Sequence, residues 1–475
     1  MTKHTKIVCT VGPASETVPL LSRMIRAGMN VARLNFSHGA YEHHAMLIRH
    51  IRAAARRAGQ VVAILQDLQG PKIRVGDLPD GGVKLTKGAS VTLSTGTETY
   101  RDDVIPVPYN RLHAEVKGGD RILLDDGNLE VRVEGVRGRA IHCVVVLGGT
   151  LIAHKGITVP TASLGAAAVT KKDEQDLIFG LKEGVDFVAL SFVRHARDIQ
   201  VLRGLIRKHL PPGGRVPAVI AKIEKHEALE RLDEIIEETD GVMVARGDLA
   251  LEAKASEVPI WQKTMIQKCL EAAKPVITAT QMLDSMTHSP RPTRAEVSDV
   301  ANAVIDHTDA TMLSQESAVG KYPAETVSMM SAIITDTEAS PLDDFVTLPP
   351  MDGTAPPVLA MSAAACTVAK AVGARVIVVV TRSGFTARAV SRHRPALPII
   401  AITHDPLVQR QLALTWGVEP HVVPRLGDMD VIGKWVLPLL RKQRRIKRGE
   451  HVVMVAGLTS NHVGEWDEVV RVIEV

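Results

Sequence analysis

The sequence predicts an α/β fold: a (β/α)8 barrel, interrupted by a small inserted β-barrel domain and followed by a C-terminal open-sheet α/β domain. Three observations predict it. Eight short runs rich in apolar and β-branched residues alternate with amphipathic helical stretches. A block of Gly-punctuated strands with no helical period separates the third run from the fourth. A further strand and helix texture follows an acidic, proline-rich linker near residues 336–357. The expected division of the 475 residues is 1–71 with 169–340 for the barrel, 72–168 for the insert and 341–475 for the third domain.

In chain order, the first strand is Lys6-Ile-Val-Cys-Thr-Val-Gly12, a helical segment covers Leu20 to Ala27, and Asn30 to Phe36 and Val61 to Asp67 are the next two strands. The insert is read as strands across Val83 to Leu93 and Arg121 to Leu147. After Thr170 the alternation resumes with Asp186 to Val193, Pro217 to Glu224, Gly241 to Gly247, Pro275 to Gln281 and Ala310 to Ser314. Thr293, three residues before Glu296 and just after Pro290-Arg-Pro292, is a capping box that starts a helix. In the third domain the strands are Val376 to Thr381, Pro398 to Thr403, His451 to Gly457 and Val469 to Val475, too few for a second barrel.

Composition narrows the function. With 45% apolar and 23% charged residues the chain can bury ordinary cores, so disorder is excluded. A net charge of only +4 and 3% aromatic residues argue against a nucleic-acid partner. Cys9, Cys143, Cys269 and Cys366 are widely spaced without a CxxC pair, which points away from a zinc site or disulfide framework and toward a reducing compartment. No apolar run of about 18 residues occurs, so neither a membrane span nor a signal segment is expected, and the location read from the sequence is cytoplasmic.

A barrel of this kind carries its active site at the C-terminal ends of its strands. The polar residues there are Arg33, Asn35 and Ser37 after the second strand, Asp67 after the third, Lys222 and Glu224 on the fifth, Asp248 after the sixth, Thr280 after the seventh and Ser314 after the eighth. Lys222 and Glu224 are two apart on a strand and so share a face. Asp248 brings a second carboxylate from the neighbouring strand, a donor set that suits Mg2+ with waters and phosphate oxygens completing its shell. A buried Lys222–Glu224 ion pair that only stabilises the barrel mouth is the plainer alternative, but the convergence of Asp248 and Arg33 disfavours it. Gly247-Asp-Leu249 is placed to open a short helix toward an anion. Arg33 and Arg74, each taken alone, read as surface arginines. Thr280 can relay a proton or simply satisfy backbone groups.

These residues closely resemble the pyruvate kinase family over essentially the whole chain. The resemblance is carried by Lys6 to Ser15, Gly28-Met-Asn-Val-Ala-Arg-Leu-Asn-Phe-Ser-His-Gly39, Ala221-Lys-Ile-Glu224, Met243-Val-Ala-Arg-Gly-Asp-Leu249, Ala279-Thr-Gln-Met-Leu283, Pro290 to Glu296 and Ser298 to Ala303. It implies phosphoryl transfer from phosphoenolpyruvate to ADP. It also implies Mg2+ (or Mn2+) on Glu224 and Asp248, Lys222 beside the transferring phosphoryl and the enolate oxygen, Arg33 on the phosphoryl group, Gly247 and Asp248 at the substrate carboxylate, Thr280 in proton delivery, and Asn35, His38, Arg74 and Lys155 at the nucleotide. The insert is then expected to act as a lid that excludes water. A metal-dependent lyase of carbon bonds would share the barrel and its charges, but the insert and Arg33-Leu-Asn-Phe-Ser-His38 argue against it.

The chain departs from the family pattern in places. Lys155-Gly-Ile-Thr-Val-Pro-Thr161 replaces the usual Lys-Gly-Val-Asn-Leu-Pro-Gly, and Ser314-Gln-Glu-Ser317 replaces Ser-Gly-Glu-Thr. At Lys72 the K+-requiring relatives have a glutamate, beside a monovalent cation held by the counterparts of Asn35, Ser37, Asp67 and the carbonyl of Leu68. The expectation is that the Lys72 ammonium meets much the same oxygens and makes K+ dispensable. Finally, Thr381-Arg-Ser-Gly-Phe-Thr-Ala-Arg388 is a turn between a strand and a helix that offers Ser383, Gly384 and Thr386 to an effector phosphate, with a solvated capping turn as the alternative. Gly457-Leu-Thr-Ser-Asn-His-Val-Gly464 lacks the basic loop that grips a second phosphate in some relatives. The expected effector is therefore a monophosphate such as a hexose phosphate or AMP, acting on a homotetramer.

Overall fold

Eight parallel strands close into a ring in chain order: Lys6–Thr10, Val31–Asn35, Ala63–Asp67, Phe187–Leu190, Ala218–Ile223, Gly241–Ala245, Val276–Ala279 and Ala310–Leu313. The computed structural model describes all residues except 1, 2, 161, 163, 164, 166, 344–355, 427, 428 and 460–465. The strands read as near-continuous apolar runs because both of their faces are covered. One face packs under the surrounding helices. The other fills the barrel interior with Val31, Leu65, Phe187, Ile220, Met243 and Ile277. Ala413 and Leu414 of the third domain join this inner cluster, so the ring is stoppered from outside the barrel.

The helix ends follow the local chemistry of the sequence. Val18–Ala27 stops at Gly28, whose φ of 128° suits glycine and whose N–H closes onto the Met24 and Ile25 carbonyls. The expected box at Arg294–Ile305 is present in both directions: Thr293 Oγ1 accepts from the Glu296 N–H and the Glu296 carboxylate accepts from the Thr293 N–H. A second box, Thr170 with Asp173, starts Lys171–Glu183 where the chain re-enters the barrel from the insert.

The insert forms a six-stranded sheet and a separate pair, Val83–Leu85 with Gly149–Leu151, around one core that includes Leu93, Ile105, Ile122, Val131 and Ile141. Among the described residues these strands wrap that core without a continuous hydrogen-bonded ring, which refines the expected small barrel. A helical turn at Leu112–Glu115 interrupts them. The third domain is a five-stranded sheet in the order Val418–Val422, Ile399–Thr403, Val376–Val380, His451–Thr459, Trp466–Glu474, the last strand antiparallel. Val418–Val422 was not expected. Its Val-Glu-Pro-His-Val is half polar and holds a proline, a composition that fits only an edge strand. Among the described residues no helix is long and apolar enough to cross a membrane.

Charged groups weld the third domain to the N-terminal face of the barrel, opposite the strand ends that carry the candidate site. Asp186, fully buried, accepts from Arg52 Nη2 at 2.9 Å, from the Ile64 N–H at 2.7 Å and from Arg410 Nε of the third domain at 2.5 Å. Asp309 pairs with Arg394 at 3.1 Å, and Lys6 Nζ donates to the Val418 carbonyl at 2.9 Å. Removing one member of a buried pair strands its partners. Asp186→Ala is therefore expected to destabilise the chain by about 3–5 kcal/mol, read as a lowered first transition in thermal unfolding. An unchanged first transition would show that the seam is held by other contacts.

Candidate active site

The strand register brings the candidate charges together. Asp67 lies level with Ala189, and Leu190 lies level with Ala221, so the residues just beyond these pairs, Ser191 and Lys222, converge on the third strand's carboxylate. The Lys222 ammonium is 2.6 Å from Ser191 Oγ, 2.9 Å from Glu224 Oε1 and 3.2 Å from Asp67 Oδ1. Asp67 is also held by Arg33 Nε at 2.7 Å, and Arg33 Nη1 donates to Thr10 Oγ1 at 2.8 Å. Glu224 Oε2 accepts from the Phe192 N–H at 2.7 Å. Ser191 Oγ passes the chain of bonds on to the Leu68 carbonyl at 2.7 Å.

The charges are not balanced evenly. Burial alone would lower the Lys222 pKa, but the Asp67 and Glu224 carboxylates outweigh it and the ammonium is held above its ordinary range. Burial would likewise raise Asp67, yet Lys222 and Arg33 together bring it below the usual carboxylate range. Glu224 has only a share of Lys222, and burial together with the Asp248 charge pushes its pKa up. One carboxylate is thus well compensated while its neighbour is short of positive charge. A hard divalent cation between Glu224 and Asp248 answers that shortage with the oxygen donors such ions take.

Thr280 ends the seventh strand in a strained backbone. Its φ is 70° and that of Gln281 is 53°, a left-handed pair costly for a β-branched residue, on the order of 1–3 kcal/mol each. Arg246 holds it there. The Arg246 guanidinium donates to the Thr280 carbonyl at 2.6 Å and the Ala279 carbonyl at 3.2 Å, and makes two 2.7 Å bonds to Asp299. The Gly247 N–H, expected to face substrate, donates instead to Thr280 Oγ1 at 2.9 Å. The hydroxyl oxygen is thereby fixed while its own proton remains available to donate.

Two residues expected at ligand sites meet protein partners. Lys72 does not contact Asn35, Ser37, Asp67 or the Leu68 carbonyl. Asn35 Oδ1 accepts from the Ser37 N–H at 3.1 Å, the Asp67 carboxylate is taken by Arg33 and Lys222, and the Leu68 carbonyl by Ser191. The Lys72 ammonium sits instead 3.4 Å from Asp126 of the insert and 3.9 Å from Asp248, because two carboxylates with little other cationic company attract it there. It lines a cleft of about 610 Å³ with Glu224, Asp248, Phe192, Ile157 and Thr158, roofed by the insert. Gly384 is the other case: its N–H, offered to an effector, closes onto Thr381 Oγ1 at 2.9 Å, as in a capping turn.

The remaining candidates are spread out. Arg74 Nη1 donates to the His154 carbonyl at 3.0 Å and Lys155 pairs with Asp125 at 2.7 Å, which groups these two at the base of the insert. Asn35, Ser37 and His38 lie at the end of the second strand, where the His38 carbonyl accepts from His44 Nε2. Ser383, Gly384 and Thr386 stand on the third domain, at the start of the helix Phe385–Ser391. Gly457–Gly464 lies partly outside the described residues. Sequence reasoning missed Ser191, Thr10, Arg246 and Asp299. Ser191 was open to it, being the polar residue that ends the fourth strand.

The pattern described as the barrel domain of pyruvate kinase matches residues 2–327, and its alpha/beta domain matches residues 359–473. The chain belongs to the pyruvate kinase family. It is 45% identical over 479 residues to pyruvate kinase 2 of Synechocystis sp., covering 99% of this chain and 80% of that protein. To the pyruvate kinase of Mycobacterium tuberculosis it is 44% identical over 467 residues, 98% of this chain and 97% of that protein. The crystal structure of a pyruvate kinase from Cryptosporidium parvum superimposes with a TM-score of 0.91 at 35% identity, over 99% of this chain and 96% of that one.

Because Arg246 sets the geometry of Thr280, Asp299→Ala is expected to lower turnover tenfold or more by loosening that clamp, since misplacement of about 1 Å can cost a hundredfold. The check is steady-state kinetics beside a thermal melt. Wild-type turnover in the folded variant would show that Asp299 does not position the site.

Proposed function

We propose that the chain transfers the phosphoryl group of phosphoenolpyruvate to ADP, giving pyruvate and ATP, the ATP-forming end of glycolysis. The observation that carries this reading is the cationic pair Lys222 and Arg33, locked on Asp67 at the strand ends beside the under-compensated Glu224 and its neighbour Asp248. Glu224 and Asp248 would hold Mg2+ or Mn2+, and the bound ion would polarise substrate oxygens as a Lewis acid.

The chain's own groups then act around the substrate. Arg33 and Lys222 place fixed positive charge against a phosphoryl group whose transition state is loose and gains chiefly from positioned charge. Lys222 also faces the oxygen that becomes the enolate. Gly247 and Asp248 bound the substrate carboxylate, and Thr280, its oxygen fixed by Gly247, offers its proton on the way to the enolate carbon. Asn35, His38, Arg74 and Lys155 receive the nucleotide. The insert excludes water over the cleft, which protects the phosphoryl donor from hydrolysis. A coupled assay of pyruvate formed from phosphoenolpyruvate and ADP tests the reading. Wild type should turn over, and Lys222→Ala should fall about a hundredfold or more at saturating substrates. No product from wild type, or near-normal turnover in Lys222→Ala, would contradict it.

In this proposal K+ is dispensable and the enzyme is a homotetramer that answers a phosphorylated monophosphate metabolite through Ser383, Gly384 and Thr386. What supports K+ independence is Lys72, a tethered cation at the cleft wall, although it stands by Asp248 rather than on the oxygens named for it. Initial rates with Mg2+ in a tetraalkylammonium buffer should rise less than about tenfold on adding K+, a change worth roughly 1.4 kcal/mol of barrier. A larger rise would show that the ammonium does not stand in for the ion.

A further inference from the structure

Where the third domain seats on the barrel, a small recess and a larger one adjoin and meet at Pro275, Arg388 and Thr415. They lie at the N-terminal ends of the barrel strands, away from the active site. Their walls carry five cations, Lys274, Arg203, Arg388, Arg392 and Arg394, against two carboxylates. Both carboxylates are already committed. Asp309 holds Arg394 and accepts from the Trp416 and Val276 N–H groups. Asp240 holds Arg203 at 3.0 Å and accepts from the Val219 N–H at 2.7 Å.

Three of the arginines keep unused donors. Buried Nε atoms of Arg388, Arg392 and Arg394 have no hydrogen-bond partner. Arg392 and Arg394 are themselves almost wholly buried, with side chains that could not turn out to water. Arg388 is the least satisfied: its guanidinium makes one 3.5 Å contact to the Ser383 carbonyl and lies 5.8 Å from the Phe385 ring centre. Buried unpaired donors cost about 1–3 kcal/mol, more when charged, and native proteins rarely leave them. Burial, and then the nearby Arg392, depresses His393 to about 4.

We propose that this recess binds a phosphate-type oxyanion, held by Arg388 and Arg392 of the third domain across the seam from Lys274 of the barrel. A guanidinium with a free Nε edge matches two oxygens of such a group. The floor of Phe187, Val216, Pro217 and Ala218 leaves room for an apolar body attached to it. Because its walls come from both domains, an occupant ties the third domain to the barrel and favours whichever packing closes the seam. The recess borders the effector turn, whose Ser383 lines it, but Thr386 does not line it, so variants at Arg388 and Thr386 tell the two readings apart.

The test uses the full-length enzyme and inorganic phosphate, with chloride and acetate at matched ionic strength as controls. Phosphate should raise the thermal midpoint saturably in wild type. Arg388→Gln should weaken the apparent affinity at least tenfold, whereas Thr386→Ala, which disables the effector turn, should keep a saturable rise. Arg33, which also takes phosphate, is intact in all three proteins, so the difference reports on the recess alone. No saturable rise, an equal rise with chloride or acetate, or an unaltered affinity in Arg388→Gln would overturn the proposal. Should Arg388→Gln fail to fold, wild-type crystals soaked in selenate decide it: an anomalous peak within hydrogen-bond distance of Arg388 supports the site, and none there refutes it.

Discussion

The active site depends on one buried ammonium. Lys222 sits among Ser191 Oγ, Asp67 and Glu224, where burial alone would lower its pKa and the two carboxylates hold it above its ordinary range. Burying such a group is costly unless every partner is in place. Strands three, four and five must therefore end in register, and the parallel pairings of Asp67 with Ala189 and Leu190 with Ala221 achieve this. Two carboxylates cannot both be satisfied by one lysine. Asp67 recruits Arg33 as well, and Glu224 is left with a deficit that faces Asp248 and the cleft. The arrangement that holds the Lys222 charge therefore leaves the deficit at Glu224, where the proposed divalent ion would sit.

The molecule divides rigidity and motion between the two ends of the barrel. At the N-terminal face Asp186 and Asp309 are buried, multiply bonded and shared with the third domain, and Leu414 caps the inner core. At the C-terminal face strain is held locally, with Arg246 and Asp299 fixing the left-handed pair at Thr280 and Gln281. The insert meets that face through exposed pairs such as Lys72 with Asp126, which are weak in water and easily remade. A lid attached in this way can open without disturbing the charges beneath it.

How much of this was legible in the sequence depended on whether the signal was local. The barrel strands were, because apolar runs at regular spacing need no partner to be seen. Lys222 and Glu224 were, because two residues on a strand share a face whatever surrounds it. Val418–Val422 was not, since its glutamate, proline and histidine read as loop and only the neighbour Ile399–Thr403 makes it a strand. The clamp on Thr280 was hidden for a similar reason: Arg246 and Asp299 are 53 residues apart in the chain. Lys72 shows the limit of reasoning by substitution. Its side chain followed the strongest uncommitted negative field, at Asp126 and Asp248, and not the oxygens that the sequence comparison put beside it. The Lys72 position shows that charge placement is set by what remains unpaired once the strand ends have met.

The central claim is that Glu224 is left short of positive charge and that a divalent cation makes up the deficit. Mn2+ binding followed by water-proton relaxation, in wild type and in Glu224→Gln, measures it without turnover. The account predicts one Mn2+ per chain in wild type. In Glu224→Gln it predicts affinity weakened at least tenfold, in a protein whose thermal melt shows it folded. Equal Mn2+ affinity in the two proteins would contradict it.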